Sequence, residues 1–414
     1  MTSTSQSADS IEFNFADPKV MACPYPMYQK LRDEAPVYFV EEAGFWIISR
    51  YDDCLDAIRD PKTFSSKMGF RPGAVPAEAT RIYEEEGFGE LPDTLVSNDP
   101  PSHTRYRKLV DRTFTAGRVR QMEEYMVEVV SELIDAFIDK GRISVMDEFA
   151  VPVPMYVIAD QLGVPRTNRD KFKQWSDAAV APLGLLISEE HHIECAKLAV
   201  EMNHYFVKVF ADRRENPQDD IISDLVTKEI DGEPMGTPEL LSILNQLLVA
   251  GNETTTSSIA ASIVRLAQEP ELVEELANNP EKCNNFAEEI LRHESPVQGL
   301  FRMTMEDVEV AGVKIPKGST VNLRYGSANR DDRKYECPAD FDVDRKNASS
   351  HLAFGAGIHH CIGAQLARRE IAIAIRELTS RLKDIRLVDP DKVTHAPSVI
   401  LRALNEFEIE FTKR

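Results

Sequence analysis

Apolar residues recur at three- and four-residue spacing over much of the chain. The stretch QMEEYMVEVVSELIDAFID, residues 121–139, shows it most clearly and predicts an amphipathic helix. The same pattern predicts helices near 194–213, 237–268, 271–278, 281–294 and 362–383. In the last, Ile371, Ile375, Leu378 and Leu382 share one face. Period-two stretches are fewer. VYFV (37–40) and FWIIS (45–49) flank EEAG and predict a hairpin. Residues 309–323, EVAGVKIPKGSTVNL, predict two short strands around a Pro-Lys-Gly turn, and EFEIEF (406–411) predicts a C-terminal strand. The fold class expected is mainly α with small peripheral β-sheets.

Composition narrows the class. The chain has 414 residues, 43% of them hydrophobic, with no apolar run long enough for a membrane span. MTSTSQSADSIEFNF lacks a basic and then an apolar region, so residues 1–19 are expected to be a polar tail rather than a secretory leader, with 20–414 as one domain. A net charge of −21 disfavours nucleic acid as a partner. The six cysteines are scattered without a CxxC pair, which predicts reduced thiols and a cytoplasmic location. One segment runs against the overall charge. Between Ser102 and Arg120 stand Arg105, Arg107, Lys108, Arg112, Arg118 and Arg120, with Asp111 as the one acid. This is either a solvated helix face or a docking site for an acidic partner.

Three stretches could carry chemistry. LLVAGNETTTSS (247–258) breaks helix preferences inside a helical pattern. Gly251 lets something bulky approach the backbone, and Thr254 can bond back to the carbonyl of Ala250, with the acid Glu253 beside it. EEILRHESP (288–296) sets Glu289 and Arg292 at i, i+3, a spacing common on solvated helices. AFGAGIHHCIG (353–363) isolates Cys361 after two histidines. The glycine spacing fails the dinucleotide fingerprint, and no second ligand cluster supports zinc. A Cys–His nucleophile, a small buried hydrophobe and a metal-bound thiolate stay open. A helix starting near Cys361 would stabilise a thiolate, Phe354 could shield it, and Gly355, Gly357 and Gly363 would let a flat partner approach.

Together these stretches resemble the cytochrome P450 family. F-G-x-G-x-H-x-C-x-G is met from Phe354 to Gly363, [AG]-G-x-[DE]-T-[TS] from Ala250 to Thr255, and E-x-x-R by Glu289 and Arg292, in the family's order. DPPSHTRYRKLV (99–110) is similar to the family's propionate-binding helix.

The resemblance implies the cytochrome P450 fold in one haem domain. Cys361 would be the metal ligand, the axial thiolate to the iron of haem b. His103, Arg107, Arg302 and His359 would bind the propionates, with Phe354, Gly355, Ala250 and Gly251 against the cofactor. Thr254 and Glu253 would be the catalytic alcohol and acid. Arg345 would join Glu289 and Arg292 in a structural cluster. The activity implied is monooxygenation: hydroxylation or dealkylation of a small-to-medium hydrophobic molecule with O2. NAD(P)H would supply two electrons through a reductase and an iron–sulfur ferredoxin docked near Arg105, Lys108 and Arg112, on a monomeric protein. A peroxide-driven peroxygenase and a non-catalytic haem sensor are the rival readings. Family substrate regions fall near 67–97, 172–192, 246–254, 297–301 and 398–401. Val249, Ala250, Val297, Leu300, Val399 and Ile400 are the lining expected from them, an apolar set suited to a terpenoid, steroid or aromatic. A substrate carried on another protein is a further possibility.

Overall fold

The computed structural model describes residues 17–67, 75–182, 187–230 and 232–414. Most of the expected N-terminal tail lies outside the described residues, as do 68–74 and 183–186 from two expected substrate regions.

The axis of the molecule is the 32-residue helix Thr237–Gln268. Gly236 and a proline in the first turn start it. It ends at Glu269, whose following Pro270 disfavours helical backbone and opens the helix Pro270–Asn278. In its polar middle the hydroxyls are satisfied within the helix by bonding back to carbonyls four residues earlier. Thr254 donates to Ala250 O at 3.0 Å, Ser257 to Glu253 O at 2.9 Å, Ser258 to Thr254 O at 2.9 Å and Ser262 to Ser258 O at 2.7 Å.

The two ends of this helix enter two cores. Leu240, Leu241, Leu244 and Leu248 pack with Phe172, Trp175, Phe206 and Phe210 from Arg169–Val180 and Glu189–Glu215. Ile259, Ile263 and Leu266 pack with Ile371, Ile375 and Leu378 of Ala364–Arg381. Each such buried aliphatic side chain contributes roughly 1.5–3 kcal/mol. Among the described residues, no helix is long and apolar enough to cross a membrane.

The expected hairpin forms, with Val37 opposite Ile48 and Val40 opposite Phe45. It is the edge of a five-stranded sheet continued by Thr320–Leu323, Leu300–Thr304 and Phe64–Ser65. The 309–323 stretch departs from the expectation. Val308–Val310 and Val313–Ile315 pair with each other through Ala311 and Gly312, both at positive φ, which is the backbone a two-residue hairpin turn requires. Thr320–Leu323 instead joins the large sheet, opposite Leu300–Thr304. The C-terminal strand runs Glu408–Lys413, two residues beyond its expected end, between Leu382–Leu387 and Arg142–Ser144.

Candidate active site

Cys361 sits on a loop wound by its own backbone. Its N–H donates to Phe354 O at 2.8 Å, and Gly355 N–H donates to Leu352 O at 2.8 Å. Gly355 and Gly357 adopt φ of 63° and 62°, which L side chains rarely reach. At Gly357 a Cβ would also lie 3.3 Å from Ile58 O, so this turn excludes side chains twice over. The following helix starts at Ala364, three residues later than expected, because Gly357–His359 closes a separate 3₁₀ turn. The Gly363 N–H, one residue before this helix, reaches the sulfur. Burial pushes the half-buried Cys361 thiol up, while the Gly363 N–H, Arg107 and Arg368 pull it down.

Beside this loop the structure gathers four cation-capable side chains from three elements. His103 and Arg107 come from the helix Ser102–Val110, Arg302 from the strand Leu300–Thr304, and His359 from the cysteine loop. The His103 and His359 rings lie 4.3 Å apart. Arg107 Nη2 donates to His360 O at 2.7 Å, tying the helix to the loop, and Arg107 Nε pairs with Asp111 at 2.6 Å. Arg302 is buried and spends Nη1 on Phe301 O at 2.7 Å. Among the described residues, both nitrogens of buried His103, and Nε2 of His359, have no hydrogen-bond partner. His359 is pushed down to about 3 by burial first and then by Arg302, His103 and Arg107. Leaving such groups unpaired costs about 1–3 kcal/mol each. A cluster of this kind is built to receive anionic acceptors, and the two carboxylates of a haem match its donors in number and charge.

On the central helix, Ala250 is exposed, and a Cβ on Gly251 would meet only Ile158, at 3.9 Å. The Glu253 carboxyl is pushed up by burial and then by Asp177, and Lys173 opposes both. Lys173 and Asp177 pair at 2.8 Å on the facing helix Arg169–Val180. Next to them, Asn252 Nδ2 donates to Ser176 Oγ at 2.9 Å and locks the two helices together.

Glu289, Arg292 and Arg345 form a buried cluster. Arg292 grips Glu289 through Nε at 2.7 Å and Nη2 at 2.6 Å, and Arg345 Nε reaches the same carboxylate at 3.0 Å. The remaining guanidinium donors go to the carbonyls of Asn329, Glu336, Cys337, Pro338 and Asp340. The i, i+3 pair is thus an interior anchor for 329–345 rather than a solvated surface pair.

The expected apolar lining divides. Val297, Leu300 and Val399 are half-buried and Ala250 is exposed, while the side chain of Val249 lies outside the described residues. Ile400 is fully buried, in a core with Phe45, Ile47 and Phe301 against which Val297, Leu300 and Val399 also pack. The basic segment divides as well. Arg107 turns inward, and Arg118 is held by Asp224 and by Asp219 at 3.4 Å. Arg105, Lys108, Arg112 and Arg120 stay exposed.

Sequence reasoning missed several groups. Arg368 stacks on Phe354 and pairs with Glu288, which also accepts from His351. Glu370 is buried against Thr255 and pushed up to about 8. Glu370 offered no signal, since in the sequence it reads as one more polar residue of LARRE.

Similarity to known proteins follows this geometry. A family profile described as Cytochrome P450 matches residues 167–410. Cytochrome P450 107B1 of Saccharopolyspora erythraea is 34% identical over 388 residues, spanning 92% of this chain and 93% of the relative. The structure of cytochrome P450 CYP109Q5 from Chondromyces apiculatus superposes with a TM-score of 0.86 at 36% identity, covering 97% of this chain and 98% of that one. P450BioI, solved in complex with hexadec-9Z-enoic acid ligated acyl carrier protein, superposes with a TM-score of 0.85 at 30% identity, covering 95% and 99%. The chain belongs to the cytochrome P450 family. Within it, this is a bacterial monooxygenase, of a family that works with haem and O2.

Proposed function

We propose that residues 20–414 form one haem domain in which Cys361 is the thiolate ligand. His103, Arg107, Arg302 and His359 hold the propionates, and Phe354, Gly355, Ala250 and Gly251 lie against the ring. The observation that carries this is the pair of orphaned imidazoles between two guanidiniums beside the cysteine loop. When bound, the haem supplies a redox-active iron that activates O2 next to the substrate. The overall reaction is R–H + O2 + 2e⁻ + 2H⁺ → R–OH + H2O.

The chain's own residues handle the protons. Thr254 Oγ1, now donating to Ala250 O, is placed to turn toward the reacting oxygen and orient a proton. Glu253, raised by burial, picks protons up from the side of Lys173 and Asp177. The substrate is a small-to-medium hydrophobic molecule bounded by Ala250, Val297, Leu300 and Val399. NAD(P)H is the electron source, and an acidic ferredoxin delivers the electrons at exposed Arg105, Lys108 and Arg112 on a cytoplasmic monomer.

The test is the absorption spectrum of purified protein, reduced and treated with carbon monoxide. A Soret band near the wavelength typical of thiolate ligation, lost in Cys361→His, is the expected result. A histidine-type band in the unsubstituted protein would overturn the assignment.

A further inference from the structure

We propose that Glu288 and Arg368 are a positioning charge pair that sets the reduction potential of the metal bound at Cys361. The proposal rests on the haem-thiolate reading above.

Arg368 lies on the first turns of the helix leading away from the cysteine loop. Its guanidinium carbon sits 4.5 Å from the centroid of Phe354, the residue whose carbonyl holds the Cys361 N–H. Stacking leaves Arg368 Nε free to reach sideways, and it donates to Glu288 Oε1 at 2.6 Å. The other oxygen, Oε2, lies 3.1 Å from His351 Nε2. His351 Nδ1 accepts the Ala353 N–H at 3.2 Å, so the ring proton resides on Nε2 and a neutral imidazole donates to Glu288. The His351 ring closes the set at 5.5 Å from Phe354. One carboxylate from the helix Cys283–Glu294 thus fixes a cation and an imidazole around one aromatic ring.

The geometry has an electrostatic consequence. Arg368 and Glu288 are both partly buried, with side-chain exposures of 21% and 16%, so salt screens them weakly. A positive charge near the sulfur favours adding an electron to the metal, and a negative one disfavours it. Arg368 acts on the Cys361 thiol, pulling it down, and Glu288 on the neighbouring helix Cys283–Glu294 partly neutralises that charge. The two residues therefore act on the potential with opposite signs, while a merely structural pair would not.

The experiment is a spectroscopic redox titration of the haem-loaded protein and of Arg368→Gln, Arg368→Lys and Glu288→Gln. At a fixed poise near the wild-type midpoint, Arg368→Gln is expected to lower the reduced-to-oxidised ratio by about threefold and Glu288→Gln to raise it by about threefold. Arg368→Lys keeps the charge and stays near wild type. The proposal is overturned if both neutral variants shift the same way, or if neither shifts while the thiolate-type carbon monoxide band is intact. If Arg368→Gln does not fold, Glu288→Gln and Arg368→Lys decide alone, on the same signs. A wild type without the thiolate-type band would overturn the haem-thiolate reading itself, and this proposal with it.

Discussion

The carboxyl of Glu370 lies against the hydroxyl of Thr255, joining the cysteine-loop helix to the central helix one residue from Thr254. Burial pushes this carboxyl up to about 8 from an ordinary 4.5, and the Thr255 bond pulls back only in part. The folded protein keeps the proton over a range in which the unfolded chain has lost it. The associated stability is fully present below about pH 4.5 and is lost as pH rises through about 8. Within that window the slope is about 1.4 kcal/mol per pH unit from this one group. Glu370→Gln removes the titration. Denaturant unfolding is expected to show the variant gaining on wild type steadily from pH 5 to pH 8. A constant difference across that range would mean that Glu370 is ionised in the native protein.

Among the described residues, Glu289 is the sole carboxylate paired with two buried guanidiniums, and Arg292 and Glu289 have no side-chain exposure. Glu289→Gln leaves those charges without a counter-charge, and breaking a buried pair from one side costs about 3–5 kcal/mol. Soluble yield and thermal midpoint should both fall sharply. Arg81→Ala is the control: Arg81 pairs with Glu78 and Glu85 on an open surface, and its loss should leave soluble yield and thermal midpoint near wild type.

His103 separates folding from cofactor retention. Both its ring nitrogens are buried and have no partner among the described residues. His103→Leu removes that cost, so the haem-free protein is expected to gain about 1 kcal/mol in denaturant unfolding. If His103 holds a propionate as proposed, the same change removes a charge-assisted donor, and haem should leave for an acceptor protein about tenfold faster. If the substitution destabilised the haem-free protein and left haem loss unchanged, His103 would be a packing residue.

Much of this was legible in the sequence for a physical reason. Long helices announce themselves by period, so the central helix was bounded at both ends, and the Ile371–Leu378 face followed from spacing alone. The cysteine loop and the Ala250–Thr255 stretch stood out because glycines and hydroxyls break helix preferences there. What stayed hidden depends on distant partners. Glu289 and Arg292 look like a surface pair until the carbonyls of 329–340 close over them. That Ile400 shares a core with Phe301 and Ile47 is likewise not visible from its own stretch of sequence. The strand 320–323 was assigned to the wrong partner because a two-residue turn at Ala311-Gly312 competes with the more conspicuous Pro-Lys-Gly.

Lys173 tunes the acid on the central helix from across the helix interface. Its charge lowers the Glu253 carboxyl, which burial and Asp177 raise. Lys173→Met removes the one opposing charge, so Glu253 holds its proton to higher pH. Asp177→Asn removes the raising charge and moves Glu253 the other way. If Glu253 must ionise to pass protons on toward Thr254, the acid limb of turnover moves up in Lys173→Met and down in Asp177→Asn. In Glu253→Gln and Thr254→Ala, the fraction of NADH recovered as hydroxylated product should fall sharply, since a positioned proton-transfer group contributes about 10²–10⁴-fold to rate. The decisive measurement is product formed per NADH consumed across pH 5–9 in all four variants. Opposite displacements of the acid limb in the two charge variants, with that limb abolished in Glu253→Gln, would place proton entry at the Lys173–Asp177 side. An acid limb unchanged in all of them would move the entry point elsewhere and leave Glu253 a buried helix contact.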